Sequence, residues 1–80
     1  MNFYEKLTNK QIEKQVIRVA GFLKIAGANQ VGGSTWSCLA QAIESLETRT
    51  GDETPGRYDA RRALSIAKSL LSEKPLSFGT

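Results

Sequence analysis

The sequence has no histidine, one cysteine, two prolines and one tryptophan in 80 residues. Each scarcity removes a class of chemistry. Without imidazole there is no histidine general base, no histidine-ligated metal and no nucleophile–histidine pair. A lone Cys38 closes neither an internal disulfide nor a cysteine-cluster zinc site. No uninterrupted apolar run approaches the ~20 residues that span a bilayer. No hydrophobic segment follows Met1-Asn2-Phe3-Tyr4-Glu5-Lys6, as one would in a signal peptide. These absences predict a soluble, cytoplasmic protein with a reduced thiol, no cofactor, no metal site, no membrane partner and no catalysis. Glu44 and Glu47 do not alter that expectation, since two carboxylates three apart on an exposed helix face read as surface charge and not as a tuned acid–base pair.

What is present is charge in blocks. The formal net charge is +3. Lys6, Lys10, Lys14, Arg18 and Lys24 outnumber Glu5 and Glu13 in the first part of the chain. Glu44, Glu47, Asp52 and Glu53 outnumber Arg49 in the middle, and Arg57, Arg61, Arg62, Lys68 and Lys74 outnumber Asp59 and Glu73 at the end. A bundle can set the acidic middle beside both basic ends and screen part of this charge internally. Any positive field that survives attracts an acidic partner.

The periodicity of apolar residues predicts an all-α fold, a small antiparallel three-helix bundle with helices at about 8–26, 34–49 and 55–74. It forms a single helical domain over 1–80, with 1–7 and 75–80 as terminal segments. In the first helix Thr8 and Gln11 have capping-box spacing, and Leu7 with Ile12 fits the accompanying hydrophobic staple. Ile12, Val16, Val19, Leu23 and Ala26 make one apolar stripe. Lys10, Lys14, Arg18, Gly21 and Lys24 lie opposite it, a basic back interrupted by Ile17 and Ile25. Gly27 is placed to end the helix.

The second helix is expected to start with Ser34 as its N-cap after Gly32-Gly33. Trp36, Leu39, Ala40, Ile43 and Leu46 form its stripe, widened by Cys38 and Ala42. So broad an arc predicts the central helix of the bundle, with Trp36 as core anchor and Cys38 as a small buried hydrophobe. Thr54-Pro55 is expected to open the third helix with proline at its first position. Its apolar face runs through Ala60, Ala63, Leu64, Ile66, Ala67, Leu70 and Leu71, and Pro75 stops it. Connections of about five or six residues suit such a bundle. In the tail, Leu76 and Phe78 can fold back onto the core.

Three surfaces carry functional expectations. On the third helix, Arg57, Tyr58, Arg61 and Arg62, with Ser65 and Lys68, share a solvent-facing arc, and guanidinium forks beside an aromatic ring suit carboxylate or phosphate recognition. On the first helix Lys10, Lys14 and Arg18 form a second contact region. Gly32, Gly33, Ser34 and Thr35 at a helix start offer backbone N–H groups and hydroxyls to an anion. The surrounding Gly-x-x-x-x-Gly spacing lacks both the lysine and the preceding strand of a phosphate-binding loop, which excludes nucleotide hydrolysis.

The function these residues predict is that of a non-catalytic interaction protein binding an acidic surface of a larger partner, of the kind phages and mobile elements use to inhibit or regulate a complex. That class follows from size and from absent catalytic chemistry, by association. One alternative is a DNA- or RNA-binding regulator that uses the third helix. It is opposed by the long connection from Arg49 to Thr54 and by Glu44 and Glu47 on the supporting helix. Another is sequestration of a small phosphorylated ligand at Gly32–Thr35. Phe3, Tyr4, Leu7, Ile17, Phe22 and Ile25 exceed what one small core covers. They either form a contact surface, including a homodimer through the first helix, or fold in as an N-terminal turn.

Overall fold

A computed structural model describes residues 3–75. The proposed return of Leu76 and Phe78 to the core lies outside the described residues, as does the side chain of Phe3. The described chain holds three α-helices, α1 (Asn9–Ala26), α2 (Gly33–Glu47) and α3 (Arg57–Leu71), with 3₁₀ turns at Phe3–Lys6 and Ala28–Gln30. Among these residues there is no strand, and the architecture is the small all-α three-helix bundle that the periodicity predicts.

The first helix begins as its sequence dictates. Thr8 stays extended, its Oγ1 accepts the Gln11 N–H at 3.2 Å, and Gln11 Oε1 accepts the Thr8 N–H at 2.8 Å. Leu7 packs on the core beside buried Ile12, completing the staple. The helix ends at Gly27, whose φ of 87° suits glycine and whose N–H reaches Leu23 O at 2.9 Å. After the short turn, buried Val31 ties the connection to the core.

Two helix starts differ from expectation. The cap of α2 is Gly32, not Ser34: Gly32 is extended, and its carbonyl accepts the Thr35 N–H at 3.1 Å, so Ser34 already lies inside the first turn. No side chain caps this end. The start of α3 is Arg57, not Pro55, because Gly56 turns left-handed at φ 74° and breaks the helical path between them. A Cβ at Gly56 would lie 2.7 Å from Asn9 Nδ2, which donates to Gly56 O at 3.1 Å. The connection between α2 and α3 is correspondingly longer than the five or six residues expected. Beyond Leu71 the chain tightens into i→i−3 bonds, Glu73 N to Leu70 O at 3.0 Å and Lys74 N to Leu71 O at 3.1 Å.

The central helix is α3, not α2. It packs extensively against both neighbours, whereas α1 and α2 meet only slightly. The reason lies in side-chain size: Ala60, Ala63 and Ala67 are fully buried, and a face of methyl groups lets two helices approach α3 closely. Trp36, Leu39, Ala42 and Leu46 from α2 and Ile12, Val16 and Leu23 from α1 fill the space on either side. Cys38 and Ala40, which made the arc of α2 look broad, are exposed.

Arg49 fastens the N-terminal segment to this frame. Its Nη1 donates to Leu7 O at 2.7 Å and Asn9 Oδ1 at 3.0 Å, and its Nη2 to Tyr4 O at 2.9 Å and Glu5 O at 3.2 Å. Tyr4 is thereby laid, 8% exposed, onto α2. Thus Tyr4 and Leu7 turn inward, while Ile17, Phe22 and Ile25 remain outside at 52%, 50% and 89% exposure.

Candidate functional site

The solvent-facing arc of α3 is where the arginines were expected, but its charges are largely paired within the chain. Arg61 Nη2 meets Asp52 Oδ1 at 2.9 Å, and Arg61 Nε donates to Thr50 O at 3.1 Å. Arg62 Nε meets Glu13 Oε2 at 2.7 Å, and its Nη2 meets Asp59 Oδ1 at 3.1 Å. Lys68 Nζ lies 3.6 Å from Glu47 Oε2. These side chains stay at the surface, yet each guanidinium fork is already directed at an internal acceptor. Arg61 and Lys68 brace α3 to the α2 side and Arg62 braces it to α1, so the structure divides the arc instead of gathering it into one patch.

Arg57 and Tyr58 are different. The Arg57 guanidinium lies 4.6 Å from the centre of the Tyr58 ring and donates to its hydroxyl at 3.1 Å. Among the described residues no carboxylate pairs with Arg57, and Tyr58 is 69% exposed. This stacked pair stands at the start of α3, held beside α1 by the Asn9–Gly56 bond.

The outward side of α1 presents a row of exposed cations. Among the described residues Lys10, Lys14, Arg18 and Lys24 form no ion pair. The one acidic residue of the helix, Glu13, faces α3. Its carboxyl is held below the ordinary carboxylate range, chiefly by hydrogen bonds from Arg62, with the charges of Arg62 and Lys10 adding and partial burial opposing. Exposed Ile17, Phe22 and Ile25 are interleaved with the cations, and a shallow cleft of ≈ 250 Å³ opens where Arg18, Val19 and Phe22 meet Thr35 of α2. Sequence reading found the three cations but not this cleft, because Thr35 reaches α1 only through the fold.

At the start of α2, Gly32, Gly33 and Ser34 are exposed and Thr35 is half-buried against the cleft. Cys38 lies exposed on the same helix, and its side chain hydrogen-bonds that of Tyr4. Burial first, and then Cys38, pushes the Tyr4 hydroxyl above the usual phenol range. Cys38 is therefore not the buried hydrophobe expected, since Tyr4 covers the helix around it without enclosing it.

Among the described residues no group of three or more acidic or thiol side chains is placed to hold a metal ion. No helix among them is long and apolar enough to cross a membrane. Compared with known proteins, the chain matches no family model, no curated protein and no solved structure.

Proposed function

We propose that the protein is a non-catalytic interaction module that binds an acidic surface of a larger macromolecular partner, acting as an inhibitor or regulator of the phage or mobile-element kind. The observation that carries the reading is the outward face of α1, where Lys10, Lys14 and Arg18 form no ion pair among the described residues and stand among exposed apolar side chains. Unpaired cations beside exposed isoleucine and phenylalanine favour a partner that offers both carboxylates and apolar surface. Arg57 and Tyr58 extend the contact from the neighbouring helix. Arg61 and Arg62 contribute less directly, because a partner must compete with Asp52, Glu13 and Asp59 for them. The same competition weakens the alternative of a nucleic-acid regulator reading through α3. It leaves a phosphorylated small ligand at Gly32–Thr35 as a reading supported by exposed glycines alone.

The test compares the immobilised chain with the triple variant Lys10→Glu, Lys14→Glu, Arg18→Glu, each challenged with extract of the native cell after nuclease treatment. The reading expects one acidic protein held by the first and lost from the second, with helicity unchanged. Equal recovery on both, or retention of nucleic acid alone with steep log-linear weakening by salt, overturns it.

A further inference from the structure

We infer that the outward face of α1 receives an acidic amphipathic helix of the partner, laid along the Ile17–Gly21–Ile25 line with its carboxylates on the flanking cations. The inference rests on the acidic-partner reading and adds the shape of what binds.

Three features of the face select a helix. Ile17, Gly21 and Ile25 stand four residues apart, so they lie in one row along α1, opposite the buried row of Ile12, Val16 and Leu23. The middle of the row is a glycine with nothing within 4 Å of where its Cβ would stand, so no contact among the described residues calls for its small size. A gap of that kind between two isoleucines admits the ridge of a second helix, as grooves between side-chain rows do wherever helices pack. Beside the row, Phe22 and Arg18 border the cleft against Thr35, which offers an apolar floor with a guanidinium and a hydroxyl at its edge. An apolar side chain of the partner with a carboxylate one turn away fits that pocket.

Charge chooses among occupants. Lys10, Lys14, Arg18 and Lys24 surround the row, and the one carboxylate of α1, Glu13, one turn before Ile17, is drawn toward α3 by its ion pair with Arg62. A second copy would set these cations against their own equivalents, which disfavours self-association through α1. A lipid surface gains nothing from a glycine at the centre of the contact, and a phosphate backbone gains nothing from Ile25 and Phe22. A helix carrying an apolar stripe edged with Asp and Glu satisfies the cations, the isoleucines and the gap together.

The experiment selects displayed 18-residue peptides, the length of α1, on the full chain, and measures the winners by titration against the wild type and single variants. Duplex DNA and vesicles of equimolar phosphatidylserine and phosphatidylcholine serve as competing probes. The expected winners carry apolar residues at i, i+3 or i+4, and i+7 beside Asp or Glu. They weaken by about tenfold or more on Ile25→Glu and on Gly21→Gln. Both positions are exposed, so circular dichroism should report an intact fold for each variant. Acidic winners without an apolar stripe, weakened by Lys14→Glu and Arg18→Glu but indifferent to Ile25→Glu and Gly21→Gln, overturn the helix inference and leave the acidic-surface reading standing. Winners with no acidic enrichment overturn both. DNA or vesicles that bind where no peptide does, or dimerisation abolished by Ile25→Glu, assign the face elsewhere and overturn the inference as well.

Discussion

Glu13 and Arg62, 49 residues apart in the chain, are joined by a 2.7 Å ion pair across the seam between α1 and α3. Arg62 also holds Asp59 one turn back on its own helix, so one guanidinium links a carboxylate of each helix. The Glu13 carboxyl is held below its ordinary value of 4.5 by this contact. A carboxylate whose pKa is lower in the folded than in the unfolded chain stabilises the fold fully above its unfolded value, and that contribution fades as pH falls through the folded value. Melting of the wild type and of Glu13→Gln should therefore differ most above pH 4.5 and converge as pH falls through the folded value beneath it. A difference between the two that stays constant over that range would show that Glu13 acts by packing and not by charge.

Arg49 should prove the most sensitive charged residue. Its four hydrogen bonds reach the backbone of Tyr4, Glu5 and Leu7 and the side chain of Asn9, all distant in sequence. Removing it leaves part-buried carbonyls without a donor, and such losses cost about 2–3 kcal/mol for a group of this kind. Arg49→Ala is expected to lower urea-unfolding stability by that amount and to accelerate amide exchange at residues 4–7. Arg49→Lys should recover only a small part, because one ammonium cannot span the acceptors that the planar fork spans. Full recovery by lysine would mean that charge alone holds the segment.

What the sequence displays well is chemistry completed within a few residues. Thr8 with Gln11, the row Ile12–Val16–Leu23 and the buried Trp36 are all legible, since capping and helical periodicity depend on near neighbours. What it conceals depends on residues brought from afar. Whether Arg61 and Arg62 are available turns on Asp52 and Glu13, whose positions only the fold supplies. The start of α3 turns on Gly56 meeting Asn9, and the exposure of Cys38 on where Tyr4 comes to rest. The breadth of an apolar arc was a poor guide to the central helix, because Ala40 and Cys38 count as apolar in sequence while standing in water. The alanines of α3 achieve centrality by being small.

Two glycines should respond in opposite directions to the same change. Gly21 is an interior residue of α1 with open space at its Cβ position, so Gly21→Ala should stabilise the free protein by up to about 1 kcal/mol through reduced unfolded-state entropy and better helix propensity. Gly56 sits at φ 74° with Asn9 Nδ2 only 2.7 Å from a Cβ, so Gly56→Ala should destabilise by about 1–2 kcal/mol through strain and displacement of Asn9. Thermal unfolding of both variants checks the pair. A neutral Gly56→Ala would mean that the turn before α3 can rearrange without loosening the Asn9 contact.

Ser45 offers a stabilising substitution in the core itself. It is 4% exposed on α2, and among the described residues its Oγ has no hydrogen-bond partner, while its carbonyl accepts from Thr48 Oγ1 at 2.8 Å. A buried hydroxyl without a partner forfeits its bonds to water and receives nothing in exchange. Alanine keeps the Cβ, removes only that oxygen and is the better helix former. Ser45→Ala should therefore raise stability by about 1 kcal/mol, which for a domain of this size moves the melting temperature up by roughly 4–8 °C. Retention of the Thr48 bond in the variant would keep the end of α2 intact, so the gain can be read from the hydroxyl alone. A melting temperature that falls instead would show that the Ser45 hydroxyl is satisfied in solution, most simply by a water enclosed between α2 and α3.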